Sequence, residues 1–575
     1  MNRNKAYPLY TPAYFRDLRA LVDQSALLHP EDIALSYKNN PRDEKVQTVT
    51  YTQFKNYMYG MGTEEILLGL QNQKCAIVGA CTMGWIVSYF SLMSMGAVTV
   101  PLDKEMPEHD LAATMKRAGV KAVFYGNEAA AKLPVLREES GADTFICIHG
   151  ARPAGAENDY TIDELIDKGM LAIACGNTSF ADYKIDPDRL ASIVFTSGTT
   201  GKGKGVMLSV TNIASDMIQG MYNFNVYPKT MMVLPPHHTF GSTVNIVGHM
   251  ALGKEIYLSS GVKYLVKELK EQKPDHLILV PLFVETLYRK IWSTAEKSGK
   301  AEKLKKAIAF SNRLRKANVD MRKVLFKDVL FTFGGNLKMI ICGGAALNQD
   351  IIDFFDAIGI TILNGYGITE AAPLISCNRN EWQKTGSVGT PIIGEEVKIF
   401  EPDANGEGEI CVKGPNIMLG YYEDPEATAA VFDEDGFFHT GDYGRLDEDG
   451  WIYITGRLKN LIIFSNGKNV YPEEIETEIS RIRGVLEVVV YAGESKSDPT
   501  KEIIVAEIFP DFEQLKADGI TTDIAIQRYF NENVKKANAN MAPYKKVGLV
   551  KVRRTEFTKN TSKKITRFSI DKTID

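Results

Sequence analysis

The stretch Phe195-Thr-Ser-Gly-Thr-Thr-Gly-Lys-Gly-Lys-Gly205 decides the reading of this chain. It follows Leu190-Ala-Ser-Ile-Val, a run rich in β-branched and apolar residues that reads as a strand, so the glycine- and hydroxyl-rich segment is the loop leaving that strand. Gly198, Gly201, Gly203 and Gly205 let the backbone approach a ligand and adopt positive φ. Thr196, Ser197, Thr199 and Thr200 supply hydroxyl donors, and Lys202 and Lys204 add compact positive charge. Such a loop suits a polyphosphate, and ATP is the ligand it points to; the bland alternative is a flexible basic turn between core strands. Gly198 to Lys204 also satisfies the P-loop pattern up to its final position, where Ser or Thr must hold magnesium. Gly205 stands there, and the P-loop reading fails.

Upstream, residues 75–102 contain no charge and imitate a membrane span, since one continuous helix would be about 40 Å long. Gly79, Gly84, Gly96 and Pro101 divide the run instead into strand, helix and strand, buried on both faces as a parallel βαβ unit requires. Lys121-Ala-Val-Phe-Tyr and Thr144-Phe-Ile-Cys-Ile continue the alternation, which predicts α/β architecture. Composition agrees: 575 residues, 44% apolar and 24% charged, describe a soluble globular chain large enough for more than one domain. A net charge of −5 gives no global attraction to nucleic acid or anionic lipid, so no nucleic-acid partner is expected and membrane contact is at most peripheral. The seven cysteines, at 75, 81, 147, 175, 342, 377 and 411, show no Cys-x-x-Cys spacing. They read as reduced buried thiols of a cytoplasmic protein, not a disulfide frame or a zinc site. Met1 to Tyr10 has no apolar run after its charges, so no export signal is expected.

Downstream, His237 and His238 lie in Leu234-Pro-Pro-His-His-Thr-Phe-Gly241, a loop with no carboxylate cluster, where metal chelation is not expected. Residues 285–330 turn helical and basic, with 13 Lys or Arg against 5 Asp or Glu. Leu287, Ile291, Leu304, Ile308, Phe310, Leu314 and Val319 are spaced in imperfect register, as in a solvated insertion whose basic face is a candidate for anionic membrane contact. Leu337 to Leu347 is a strand running into Gly343, Gly344 and Ala345. Ile362-Leu-Asn-Gly-Tyr-Gly-Ile-Thr-Glu370 is a second strand ending in a loop, the place where open α/β sheets bind ligands. There Tyr366 offers a flat face, Gly365 and Gly367 leave room for a base, and Glu370 is a hard oxygen donor of the kind Mg2+ takes. A strand-end turn with an N-capping threonine is the plainer reading. Asp442, after Thr440-Gly441, is placed to accept two hydroxyl hydrogen bonds.

Thr196-Ser-Gly-Thr-Thr-Gly-Lys-Gly-Lys-Gly-Val-Met-Leu-Ser209 resembles the phosphate loop of the adenylate-forming superfamily of acyl-CoA synthetases, luciferases and adenylation domains. It departs at Gly203, where proline is common, and at Val210, where histidine is frequent. The later motifs resemble that family in turn, and the resemblance covers nearly the whole chain. It implies a large N-terminal α/β domain of parallel or mixed sheets packed with helices, residues 1–458, and a small mobile α+β lid, residues 459–575, with Lys459 at the hinge. It also implies ATP contacts at Thr196 to Lys202, Lys204, Gly344, Ala345, Asn364, Gly365 and Tyr366. Tyr366 would stack on adenine, Thr369 would contact the α-phosphate, Glu370 and Thr196 would hold magnesium, and Asp442 and Arg457 would hold the ribose. His238 aligns with the family's histidine near the meeting point of carboxylate, adenylate and thiol, where a packing role accounts for it equally. Gly456-Arg-Leu-Lys-Asn-Leu-Ile-Ile-Phe-Ser-Asn-Gly-Lys-Asn-Val470 and the basic insertion look closest to long-chain fatty acyl-CoA ligases, and Gly467 falls beside the entering thiol. In the tail, Phe557 to Arg567, Lys564 aligns with the catalytic lysine, although Lys563 stands where glycine is usual.

The resulting expectation is ATP-dependent activation of a medium- or long-chain fatty acid to acyl-AMP, with release of pyrophosphate, followed by transfer to coenzyme A. Loading of an acyl carrier protein is the alternative, and a catalytically inactive nucleotide-binding regulator is a second. The joint presence of Glu370, Asp442, Arg457 and Lys564 argues against inactivity.

Overall fold

A computed structural model describes residues 14–196, 203–464, 469–497, 503–539, 541–559 and 565–575. They form two compact units. The larger comprises the chain up to Glu396 together with residues 412–438 and 449–451.

Two sheets carry this unit. The first runs in the order Gly420–Tyr421, Lys204–Ser209, Leu190–Thr196, Val98–Leu102, Lys74–Val78, Val120–Gly126, Thr144–His149 and Tyr160–Thr161. The uncharged run is the expected βαβ unit: Lys74–Val78 and Val98–Leu102 pair in parallel, joined by the helix Met83–Ser94, in which residues 84–94 are all buried. Thr82 caps that helix by accepting a hydrogen bond from Trp85 N–H. A Cβ on Gly84 would stand 1.9 Å from the Ile148 carbonyl oxygen, so only glycine lets the helix lie this close to the neighbouring strand. Among the described residues no helix is long and apolar enough to cross a membrane.

The second sheet runs Thr390–Pro391, Leu374–Cys377, Thr361–Gly367, Met339–Cys342, His276–Leu279, Lys229–Met232, Glu255–Leu258, Ile33–Tyr37 and Gln47–Thr50. Its middle strands are parallel, and Leu374–Cys377 turns back antiparallel against Thr361–Gly367. The parallel strands His276–Leu279 and Met339–Cys342 are buried along their whole length, as sheets covered by helices on both faces must be.

The basic insertion is less solvated than its sequence implied. Its helices Pro281–Lys297 and Ala301–Lys316 bury Leu287, Ile291 and Leu304 in the core of the second sheet, whereas Phe310 and Val319 stay exposed. Tyr288 packs edge-on against Phe354 at 4.9 Å, and Arg315 and Arg322 both pair with Asp356. Phe354 and Asp356 belong to the helix Gln349–Ile358, so part of the insertion's positive charge is spent fastening it to a neighbouring helix.

The smaller unit comprises residues 397–411, 439–448 and 452–575. It holds most of a four-stranded sheet, Glu396–Phe400, Gly408–Lys413, Phe438–Leu446 and Ile452–Arg457. A three-stranded sheet, Val485–Gly493, Ile503–Pro510 and Leu549–Val552, packs with the helices Pro472–Ser480 and Asp523–Asn538. Ile475, Ile479, Val490, Ile508, Phe530 and Val534 form that α+β core.

Candidate functional site

In the first sheet Leu190–Thr196 and Lys204–Ser209 form an antiparallel hairpin whose last pair is Thr196 with Lys204. Ser197, Gly198, Thr199, Thr200, Gly201 and Lys202 lie outside the described residues. The hairpin's neck is closed by Thr196 Oγ1, which donates to the Lys204 carbonyl at 3.3 Å. Gly203 is needed there, because its Cβ would stand 2.6 Å from the Thr196 carbonyl oxygen; its own carbonyl accepts from Arg117 Nη1 at 2.8 Å. The edge strand Gly420–Tyr421 then pairs antiparallel with Lys204–Ser209, Tyr421 opposite Val206.

In the second sheet the predicted site residues follow the carboxyl ends of neighbouring parallel strands. Gly343, Gly344 and Ala345 follow Met339–Cys342. Asn364, opposite Cys342, opens the end of Thr361–Gly367 that carries Gly365 and the buried Tyr366. A Cβ on Gly343 would lie 3.2 Å from the Gly365 carbonyl oxygen and 3.5 Å from Phe240, which draws Phe240 to the same place. Phe240–Val247 is a π-helical turn, an element frequent at functional sites. His237 and His238 precede it with ring centroids 4.2 Å apart. His237 is buried 3.7 Å from Asp103, and burial lowers its pKa, so the ring is neutral.

The two sheets meet at Glu370. Thr369 and Glu370 sit in a single 3-10 turn, Thr369–Ala371; the Glu370 carbonyl accepts from Met418 N–H at 2.8 Å, and its carboxylate Oε1 accepts from the Tyr421 hydroxyl at 2.9 Å. Burial and the adjacent Glu370 charge push the Tyr421 pKa up, so the phenol is a permanent donor. Lys204 Nζ lies 4.2 Å from the centre of the same ring. One tyrosine therefore orients the candidate metal ligand through its hydroxyl and the candidate phosphate lysine through its face. Glu370 is half-buried, and among the described residues no cation pairs with it. A single oriented carboxylate of this kind fits magnesium, which takes one or two carboxylates and fills its remaining positions with water and substrate phosphate.

Behind Glu370 is a buried polar cluster. Both Asn416 amide hydrogens are used, on the carbonyls of Ala371 (3.0 Å) and Leu374 (2.9 Å), while Asp216 Oδ1 accepts from Leu374 N–H at 2.8 Å. Asp216 Oδ2, Asn416 Oδ1 and both Glu395 oxygens are then buried acceptors without a donor among the described residues. Protons on the acids supply the missing donors: burial pushes Glu395 up to about 8 and raises Asp216 well above the carboxylate range.

In the smaller unit Asp442 lies within the strand Phe438–Leu446, not in a free turn; Gly441, with φ +70°, makes the local irregularity. Asp442 is buried and pairs with Arg457 Nε at 2.9 Å, directly across the ladder. Lys459 is in the short turn Leu458–Asn460. Gly467 and Lys564 lie outside the described residues. Arg567 donates to the Val490 carbonyl at 3.0 Å and pairs with Glu476. Tyr421, Asn416 and Arg117 are site residues that sequence reasoning missed, because their roles arise from pairings between segments far apart in the chain.

This assembly, a glycine-rich hairpin beside an acid-bearing turn at the ends of parallel strands, defines a nucleotide-binding class of α/β protein. The chain belongs to the AMP-binding enzyme family, whose model matches residues 22–422. It is similar to long-chain-fatty-acid–CoA ligase 5 of Rattus norvegicus, 27% identical over 558 residues, covering 90% of this chain and 79% of that protein. It is as similar to the Arabidopsis thaliana chloroplastic long-chain-fatty-acid–[acyl-carrier-protein] ligase AEE15, 27% identical over 533 residues, covering 80% and 72%. The fold is shared with the anthranilate CoA ligase AuaEII in complex with anthranoyl-AMP, with a TM-score of 0.75 and 18% identity over 97% of this chain and 96% of that one.

Proposed function

We propose that the chain joins a fatty acid to a thiol at the expense of ATP. A carboxylate oxygen attacks the α-phosphorus, the bond to pyrophosphate breaks, and the thiol sulfur then attacks the acyl carbon of acyl-AMP, releasing AMP. The observation that carries this reading is the Lys204–Tyr421–Glu370 array, which sets a cation and an anion about one aromatic ring, Lys204 coming directly after the hydroxyl-rich stretch of sequence. Positioning and charge neutralisation are the whole catalytic task in such a transfer, because two anions must approach and a polyanion must leave.

In this reading Thr196 to Lys202 and Lys204 hold the β- and γ-phosphates. Gly344, Ala345, Asn364, Gly365 and Tyr366 take the adenine, Thr369 the α-phosphate, and Asp442 with Arg457 the ribose. Magnesium bound at Glu370 and Thr196 supplies further neutralisation of the phosphates. Lys564 serves acyl-AMP formation, Gly467 leaves space for a narrow thiol arm, Lys459 is the hinge dividing residues 1–458 from 459–575, and His238 lines the acyl end.

Coenzyme A is the first choice of thiol, in keeping with the rat relative; an acyl carrier protein is the second, favoured by the equal identity to the Arabidopsis relative. Pyrophosphate release assayed across fatty acids of increasing length, with and without coenzyme A, tests the proposal. Release that rises with chain length and yields acyl-CoA supports it. Release without acyl-CoA points to a carrier protein, and no release with any acid, at any magnesium concentration, refutes catalysis.

A further inference from the structure

Glu409 and Cys411 alternate on the strand Gly408–Lys413 and so share a face, and His439 lies on the neighbouring strand Phe438–Leu446. Their donor atoms all lie within 4.8 Å of one another. His439 Nδ1 is 2.7 Å from Glu409 Oε2 and 3.5 Å from Cys411 Sγ. We infer that these three residues form a binding site for a thiophilic divalent cation of the zinc class, separate in chemistry from the magnesium expected at Glu370.

Four observations support the site. The donor set is one sulfur, one imidazole nitrogen and one carboxylate oxygen, three protein ligands with room for water as the fourth, the pattern of an exchangeable zinc site; a thiolate selects such metals over magnesium or calcium. The spacing fits as well, since bonds of ~2.3 Å to sulfur and ~2.05 Å to nitrogen at a tetrahedral angle put the two donors ~3.5 Å apart, the separation observed between Cys411 and His439. The Glu409–His439 pair must widen, from a hydrogen bond at 2.7 Å to the ~3.4 Å that a shared metal imposes.

The donors are also held from behind. Glu409 Oε1 accepts from Gly441 N–H at 2.9 Å, which leaves Oε2 directed at His439, and Phe400 packs edge-on against the imidazole at 5.0 Å. Finally, the site can be reached: Cys411 is buried, while the His439 and Glu409 side chains remain 21% and 16% exposed, so a cation enters past them and meets the sulfur at the bottom. Occupancy would tie both strands at the root of the Thr440-Gly441-Asp442 segment, where Thr440 Oγ1 already donates to the Ile410 carbonyl at 2.7 Å.

The test uses the full-length chain stripped of metal by chelation. Cobalt(II) is titrated as the spectroscopic probe and zinc(II) as its competitor. The expected result is one equivalent of cobalt with a sulfur-to-metal charge-transfer band that one equivalent of zinc abolishes. The band should be lost in Cys411→Ser and unchanged in Cys175→Ser, whose cysteine is exposed and far in sequence from the trio. Glu409→Gln keeps the acceptor for Gly441 and removes only the anionic ligand, so cobalt affinity should fall at least about tenfold with the fold intact. Absence of the band in the unmutated chain, its persistence in a folded Cys411→Ser, or its loss in Cys175→Ser overturns the site. Should Cys411→Ser not fold, Glu409→Gln decides, and unchanged affinity there overturns it. None of these readouts depends on ATP turnover, so they stand apart from the proposed ligase activity.

Discussion

Replacing Tyr421 by Phe removes one oxygen and leaves the ring. The lost atom donates to Glu370 Oε1 at 2.9 Å, an ordinary length, in a half-buried setting. Hydrogen bonds to charged partners contribute about 1.5–3 kcal/mol, and partial exposure favours the lower part of that range, about 1.5–2 kcal/mol. If the bond serves to hold Glu370 where a magnesium–ATP complex needs it, the loss appears in kcat/KM for ATP as a decrease of about 10- to 30-fold. The decrease should be largest at low magnesium and shrink as magnesium is raised. Tyr421→Ala also strips the face under Lys204, and a cation–π contact of about 0.5–1 kcal/mol predicts a further two- to fivefold loss. Pyrophosphate release, measured with one fatty acid over a magnesium titration, reads all of this, and thermal melting checks that each variant is folded. A Tyr421→Phe enzyme within twofold of the unmutated one at every magnesium concentration, under conditions where Glu370→Gln is inactive, would refute the positioning argument.

Local pattern carried the fold. The strand, helix and strand at residues 75–102 were legible because Gly79, Gly84, Gly96 and Pro101 punctuate a run that hydropathy alone reads as a membrane span. The groups that orient the site were not legible, because they are pairings across sheets. Nothing in Gly420-Tyr-Tyr announces that its strand will lie along Lys204–Ser209 and bring a phenol to Glu370. Nothing in Pro415-Asn416 announces that one amide will hold the carbonyls of Ala371 and Leu374. Cysteine spacing looks only along one segment, whereas Glu409 and Cys411 meet a histidine on a neighbouring strand. The insertion shows the same limit: charge count made it solvated, whereas Asp356, on a helix later in the chain, takes up two of its arginines.

Gly367→Ala would set a Cβ 2.1 Å from the Pro373 carbonyl oxygen, so the turn bearing Thr369 and Glu370 must shift; a loss of about 1–3 kcal/mol in stability, seen as a lower melting temperature, should accompany lost pyrophosphate release. Lys564→Ala should abolish acyl-AMP formation yet still convert supplied acyl-AMP to thioester, and Gly467→Leu should do the reverse; equal slowing of both half-reactions in either variant would count against separate roles. Burial pushes the Glu395 carboxyl up to about 8 from an ordinary 4.5. Its folded pKa lies above its unfolded one, so between those values the native chain keeps a proton that the unfolded chain has released, and stability falls as pH rises through the window, levelling off above about 8. Glu395→Gln preserves the shape, supplies a permanent N–H donor toward the orphaned oxygens of Asn416 and Asp216, and removes this titration. Asp216 titrates in both proteins and largely cancels in the comparison. The variant should therefore gain in melting temperature relative to the unmutated chain as pH is raised from about 5 to about 8. A difference that stays flat across that range would mean Glu395 is already ionised in the folded state, and that a donor other than its own proton satisfies the cluster behind Glu370.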